Sequence, residues 1–288
     1  MTTSILKIRT MSTLRVALAQ LAIDENKTTN IQKAISFTKK AKNQHADVII
    51  YPECFNCPYG LKYFAKYAES IPSGETCSII SELAKELKIH IIAGTIPEQD
   101  GNNLYNTCAI WDIEGQLVAK HRKVHLFDIN IPGKIKFMES EVLSPGNTLT
   151  TVNIKNWKIG IGICYDIRFE EMARLYRKKE CQMLVYPSAF NMTTGPLHWE
   201  LLQRARANDN QCYVVCVSSA RNTEASYIAW GHSQITSPFG EVIQDLGITE
   251  NMAVIEIDSS LVEKVRNEIP IFKQRRTDIY DTIYKHNK

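Results

Sequence analysis

The chain has 288 residues, 44% of them hydrophobic and 23% charged, the balance of a globular chain that can bury a sizeable core, which excludes an intrinsically disordered protein. Its 34 basic and 31 acidic residues leave a net charge of +3, too weak to announce a nucleic-acid or membrane partner, and the basic clusters at Lys39-Lys40, Arg177-Lys178-Lys179 and Arg275-Arg276 read as solvated surface. No apolar run approaches the ~18 residues of a membrane span.

In chain order, residues 1–13 read as an N-terminal extension, flexible in character, without the apolar core of a signal peptide. The segment has no acid before Asp24, is rich in Ser and Thr, and carries Lys7 and Arg9, so a mitochondrial presequence is compatible with it and Met11 is an alternative start. Eight cysteines without a secretory signal suggest reduced thiols and a cytoplasmic protein. Residues 14–288 read as one domain, with no internal linker. Arg15–Leu21 and Asp47–Tyr51 are expected strands, and Ile31, Ala34, Ile35 and Ala41 mark one face of a helix over Thr29–Asn43. Cys54-x-x-Cys57 invites a zinc or redox reading, but no second Cys or His pair stands at finger spacing, and no metal is expected. A helix over Glu75–Leu87, a short strand at His90–Thr95 and a hairpin of Leu104–Asp112 with Gln116–Lys120 follow, turned at Gly115.

The second half repeats this plan. Trp157–Cys164 is a strand, Met183–Ser188 echoes the earlier Val-Ile-Ile-Tyr-Pro-Glu run, and a helix over His198–Asp209 precedes a strand at Tyr213–Ser218. Ser233–Thr236 and Glu241–Gln244 form a second hairpin around Pro238-Phe239-Gly240. Two such copies predict an α/β fold of two similar halves. Each sheet has one face under helices and needs an apolar layer for the other, and packing sheet on sheet gives a four-layer α-β-β-α sandwich. The doubly wound alternative lacks a G-x-G-x-x-G after the first strand.

Strict alternation in Lys158–Asp166 puts Ile159, Ile161 and Ile163 on one face and Gly160, Gly162 and Cys164 on the other. The two glycines predict close approach by another backbone or a ligand. Cys164, at the end of the strand, fits both a reactive thiol and a packed one. Glu53 ends another buried-looking strand, and a carboxylate there must be paired, solvated or protonated, with a helix cap or simple exposure as the plain reading. Lys120, His121, Arg122, Lys123 and His125 follow in quick succession, with His121, Lys123 and His125 on one face if the segment is extended. Cations between the histidines argue against zinc, and local pattern does not say which basic residue matters.

Taken together, Tyr51-Pro-Glu53-Cys-Phe-Asn, His121-Arg-Lys123-Val-His-Leu-Phe-Asp, Gly162-Ile-Cys164-Tyr-Asp-Ile-Arg168-Phe, Tyr186-Pro-Ser-Ala-Phe-Asn191 and Gly195-Pro-Leu-His-Trp-Glu-Leu-Leu resemble the nitrilase superfamily of carbon–nitrogen hydrolases, in order, from about Leu14 to Tyr280. Pro58-Tyr-Gly60, Pro132-Gly-Lys134, Phe137-Met-Glu139-Ser, Thr193-Thr-Gly-Pro, Ala229-Trp-Gly-His232 and Lys273-Gln-Arg-Arg make the omega-amidase branch the nearest likeness. The resemblance implies Cys164 as nucleophile, Glu53 as general base, Lys123 as the cation at the developing oxyanion and Glu139 as a second carboxylate orienting the lysine and the substrate. It implies monoamides of small dicarboxylic acids (α-ketoglutaramate and α-ketosuccinamate) as substrates, no metal or organic cofactor, and a homodimer, to which the helix face of Met172, Leu175 and Tyr176 could contribute. Arg168, whose two-pronged donor suits a carboxylate, would hold the far end of the substrate, with Tyr59 and Thr194 as further pocket residues. A sister activity on deaminated glutathione, a Cys–His hydrolase using His198 or His232, and a noncatalytic scaffold are the rival readings.

Overall fold

The structure is a computed structural model that describes residues 12–133 and 135–285; the expected extension over residues 1–13 and Lys134 of the Pro132-Gly-Lys motif lie, apart from Ser12 and Thr13, outside the described residues. Layering follows from strand alternation. In β1 (Thr13–Gln20), Leu14, Val16 and Leu18 point to one side and Ala17 and Ala19 to the other, and all five are buried. A strand buried on both faces sits between two layers. On the alanine side lie α1 (Lys27–Asn43) and, after the short α2 (Leu61–Tyr67), α3 (Glu75–Leu87); Ala34, Phe37 and Ala41 of α1 and Ile80 and Leu83 of α3 pack with Ala17, Ala19, Ile49 and Ile91. Both helices begin and end where the chain offers chemistry for it. Asn26 caps α1 by accepting a hydrogen bond from the Thr29 N–H at 3.0 Å, and α3 stops at Lys88 in the left-handed conformation.

On the other side, Leu14, Val16, Leu18 and Ile50 share one core with Ile159, Ile161, Val185 and Val215 of a second sheet. That sheet's far face is covered by α4 (Glu170–Lys178) and α5 (Gly195–Asn210), through Met172, Ala173, Tyr176, Trp199 and Ala207. The expected four layers are therefore present. The halves also match in strand order, apart from an additional edge strand, Ile96–Asp100, in the first. β1 runs parallel to β2 (Val48–Ile50), which runs parallel to β3 (His90–Ile92); after β4 (Ile96–Asp100) come the antiparallel β5 (Asn103–Trp111) and β6 (Leu117–Arg122). In the second sheet β10 (Trp157–Ile161), β11 (Met183–Ser188) and β12 (Tyr213–Ser218) are parallel, followed by antiparallel β13 (Gln234–Thr236) and β14 (Val242–Asp245). Each first strand gains an antiparallel neighbour on its outer edge, β9 (Thr150–Ile154) on β10 and the C-terminal β15 (Asn251–Asp258) on β1. The C-terminal strand thus closes the N-terminal sheet, and α6 (Ser259–Glu268) follows it.

Two expectations need correction. The space at Gly160 and Gly162 is filled neither by another backbone nor by a ligand. A Cβ on Gly160 would stand 2.7 Å from the Tyr176 ring, and one on Gly162 would stand 2.5 Å from the ring of Tyr186. The glycines make room for tyrosines of the adjoining helix and strand. Of the helix face of Met172, Leu175 and Tyr176, two residues are core: Met172 is 3% exposed and Tyr176 is fully buried, its hydroxyl donating to the Ile161 carbonyl, and Leu175 is half-buried. Met172 and Tyr176 are therefore spent inside the chain and are not free to meet a second copy. Among the described residues no helix is long and apolar enough to cross a membrane.

Candidate active site

Glu53 sits in the turn that leaves β2 and is 1% exposed, so neither the helix-cap nor the solvent-exposed reading applies. The turn is clamped by the strand beside it. Gly94 has φ +49°, and a Cβ there would lie 2.0 Å from the Pro52 carbonyl oxygen, so only glycine lets the two backbones approach. Thr95 then donates its N–H to the Pro52 carbonyl at 3.2 Å, and its hydroxyl accepts from the Cys54 N–H at 2.8 Å. The glutamate Oε1 accepts from Asn106 Nδ2 at 2.7 Å and from Lys123 Nζ at 2.9 Å, whereas Oε2 is buried with no hydrogen-bond partner.

Lys123 follows β6 directly and continues its register, donating its N–H to the Asn106 carbonyl at 2.9 Å. Its ammonium is fully buried and is shared between Glu53 and Glu139, at 2.9 Å from each. Glu139 reaches this point through a small hairpin, β7 (Asp128–Ile131) and β8 (Ile135–Met138), that returns the chain beside its own start. The Phe127 N–H donates to Glu139 Oε2 at 2.7 Å, and the Tyr59 hydroxyl donates to Oε1 at 2.6 Å.

Cys164 opens the 3-10 turn Cys164–Arg168 that leaves β10, with φ +45°, a left-handed conformation in which a non-glycine residue is strained. Its sulfur accepts from the Ala189 N–H at 3.4 Å, at the end of β11. The thiol lies close enough to Glu53 for each to shift the other's ionisation. The three side chains therefore converge from the C-terminal ends of β2 and β10 and the end of β6, the place where parallel strands deliver functional groups in α/β folds.

The electrostatics follow from two carboxylates, one ammonium and almost no water. Burial, and after it the Glu53 charge, push the Cys164 thiol well above the usual thiol range, against the opposing pull of Lys123. Burial also raises the Glu53 carboxyl, with Lys123 opposing and Glu139 assisting. For Lys123, burial pulls downward, but the two carboxylates outweigh it and the ammonium is held well above its ordinary value. The thiol is thus held protonated and the ammonium charged, and a thiol in that state would need a base to take its proton before it could act as a nucleophile.

The remaining expected residues divide. Tyr59 is in the site as the donor to Glu139, and its ring meets Tyr227 at 4.6 Å and Phe137 at 5.4 Å. Tyr59 and Tyr227 also line a cavity of about 310 Å³ with Asp24, Glu25 and Lys62, and Glu53, Lys123, Glu139 and Cys164 are not among its lining residues. Arg168 has no carboxylate partner among the described residues; its Nη1 lies 3.2 Å from His198 Nδ1 and its guanidinium 4.9 Å from the centre of the Phe190 ring. Thr194 is buried, and its hydroxyl donates to Asn191 Oδ1 at 3.1 Å at the start of α5. The Cys–His reading is overturned: His198 faces Arg168, and His232 pairs with Asp245 at 2.9 Å and stacks on Trp230, so neither serves the thiol. All eight cysteines are buried free thiols. Asn106, Ala189 and Tyr227 were not anticipated. Asn106 alone left a signal, as a polar residue in β5 just ahead of that strand's apolar run Cys108–Trp111.

The sequence profile of the carbon–nitrogen hydrolase family matches residues 15–267. The chain is 53% identical over 277 residues to the omega-amidase NIT2 of Xenopus tropicalis, covering 96% of this chain and 100% of that protein. It is 52% identical to omega-amidase NIT2 of Homo sapiens, covering 94% of this chain and 98% of that one. Among solved structures, the Saccharomyces cerevisiae nitrilase-superfamily protein Nit3 superposes with a TM-score of 0.85 at 42% identity, covering 92% of this chain and 97% of that one.

Proposed function

The chain belongs to the carbon–nitrogen hydrolase family, and from that premise we propose that it is an omega-amidase, releasing ammonia from the terminal amide of small dicarboxylic acid monoamides such as α-ketoglutaramate and α-ketosuccinamate. The observation that carries the chemistry is the buried Lys123 ammonium held between Glu53 and Glu139 beside the Cys164 thiol. A structural ion pair has no need of a nucleophile in its field, and a scaffold has no need of a strained one.

In this reading, Glu53 takes the thiol proton as sulfur attacks the amide carbon. The carbonyl electron pair moves to oxygen, and Lys123, with the Tyr165 N–H at the start of the turn, stabilises the oxyanion; one such donor is typically worth about 3–4 kcal/mol. The protonated Glu53 returns its proton to the nitrogen, the C–N bond breaks and ammonia leaves a thioester on Cys164. Glu53 then takes a proton from water as hydroxide adds to the thioester, the C–S bond breaks to release the carboxyl product, and Glu53 returns the proton to the departing sulfur, restoring the thiol. Glu139 fixes the lysine and, through Tyr59, the wall of the cavity. No step calls on a metal or an organic cofactor.

Arg168, with no carboxylate partner among the described residues, is the proposed clamp for the distal carboxylate, and Thr194 is retained as a further pocket residue. Residues 14–288 act as one hydrolase unit in the cytoplasm. The protein works as a homodimer in this reading, and one exposed apolar surface among the described residues that could serve is on α5, where Leu197 and Leu201 are 64% and 61% exposed.

The test is ammonia release from α-ketoglutaramate, deaminated glutathione and an uncharged short amide. Fast release from α-ketoglutaramate is expected, and a preference for deaminated glutathione would move the activity to the sister branch. In Arg168→Ala, KM for α-ketoglutaramate should rise while kinetics on the uncharged amide stay put. Equal losses on both would make Arg168 structural.

A further inference from the structure

His121 and His125 flank Lys123, and the chemistry proposed above uses neither. Both turn toward one carboxylate. Asp166 is fully buried in the turn two residues beyond Cys164, and its Oδ1 accepts from both the His125 N–H at 2.9 Å and His125 Nδ1 at 2.7 Å. Its Oδ2 accepts from the Ile163 N–H at 2.8 Å and lies 3.6 Å from His121 Nε2. The Asp166 N–H closes the same turn on the Ile163 carbonyl at 2.9 Å.

We propose that Asp166 is a positioning residue that locks the lysine-bearing segment to the cysteine-bearing turn and thereby sets the placement of Lys123 against Cys164. The inference rests on the proposed roles of those two residues. Lys123 comes from the first sheet and Cys164 from the second, so sheet-to-sheet packing alone must fix their separation unless something ties them locally. Asp166 is such a tie: it holds backbone and side chain on the lysine's C-terminal side and the backbone immediately before the cysteine. Burial works against its charge, but His121, His125 and the Ile163 N–H together hold the carboxyl well below the usual carboxylate range, so the acceptor stays ionised. An ionised carboxylate only accepts, so His125 carries its proton on Nδ1. The His125 ring is held in plane by Phe169, stacked at 3.6 Å, which keeps that donor aimed.

Asp166→Asn keeps the size of the side chain and sets either an amide N–H₂ or a weaker neutral acceptor against the His125 donors. The measurement is kcat per titratable Cys164 thiol, with KM, melting temperature and the rate of Cys164 alkylation by iodoacetamide read in parallel. A shift of Lys123 by the order of 1 Å should lower kcat per thiol by about 10²-fold at unchanged KM. Alkylation should slow as well, because Lys123 opposes the upward shift of the thiol. A merely structural Asp166 would lower the melting temperature and the number of titratable thiols but leave kcat per thiol at the wild-type value, and that result overturns the proposal. His125→Phe keeps the stack on Phe169 and removes the Nδ1 donor. It should show a smaller loss of kcat, and should Asp166→Asn not fold, a wild-type kcat in His125→Phe overturns the proposal equally. Active wild-type enzyme with unaffected variants sinks the positioning role alone. Wild-type enzyme inert on α-ketoglutaramate sinks the omega-amidase reading instead, and the alkylation rates still decide the role of Asp166.

Discussion

Lys123→Ala is expected to lose both activity and stability, and the stability loss should depend on pH. Removing the ammonium deletes a donor at the oxyanion, about 10²–10³-fold in kcat for a single such group. It also leaves Glu53 and Glu139 buried together without their common partner. Breaking a buried pair from one side typically costs about 3–5 kcal/mol. Lys123 opposes the upward shift of Glu53, so without it burial and the neighbouring carboxylate drive that carboxyl higher. A group whose folded-state pKa is raised contributes stability that is fully present below its unfolded value and is lost as pH rises through the folded one. The deficit of Lys123→Ala against wild type should therefore be small in mild acid and grow toward neutral pH. Urea unfolding of both proteins at about pH 5 and about pH 8 reads it directly; a deficit of the same size at both would contradict the buried three-way pairing.

Glu53→Gln should slow turnover while making the Cys164 thiol easier to ionise. The amide cannot accept the thiol proton, so turnover should fall by about 10²–10⁴-fold, the usual worth of positioned proton transfer. Yet the Glu53 charge is one of the causes that hold the Cys164 thiol up, second only to burial. Its removal should lower the pH midpoint of Cys164 alkylation. A nucleophile that is more readily ionised in an enzyme that is slower separates proton transfer from thiolate population. If the alkylation midpoint falls and turnover survives within about tenfold, Glu53 is an electrostatic neighbour and not the base.

The elements easiest to read in the sequence were those whose periodicity matched their burial. α3 has the expected bounds Glu75–Leu87, and β11 and β12 are the runs Met183–Ser188 and Tyr213–Ser218. The two-halves argument worked because both halves had to solve the same packing problem. β4, β9 and β15 were not anticipated, since an edge strand such as β15, mostly half-exposed, carries little apolar alternation. The β7–β8 hairpin was missed for the same reason, although it is the element that returns Glu139 to Lys123.

For the site, Glu53 and Cys164 were visible as awkward residues at strand ends. Lys123 was not separable from its basic neighbours by local pattern. Only three dimensions distinguish them: Lys120 and Arg122 turn to Glu98, and Lys123 turns to Glu53 and Glu139. The motif resemblance made that choice before any geometry did. Asp166 stood inside a quoted motif without a role, because its partners His121 and His125 lie far away in sequence. Gly160 and Gly162 misled, since a missing Cβ signals proximity without saying whether a ligand or a tyrosine ring supplies it.

The most direct test of the covalent amidase account is rapid-quench mass spectrometry of wild-type protein mixed with α-ketoglutaramate. The account predicts a transient mass increase equal to the substrate less ammonia, on the peptide that carries Cys164, formed in step with ammonia release and absent in Cys164→Ala. Ammonia released at an undiminished rate by Cys164→Ala, or an acyl group found on another residue, would contradict it.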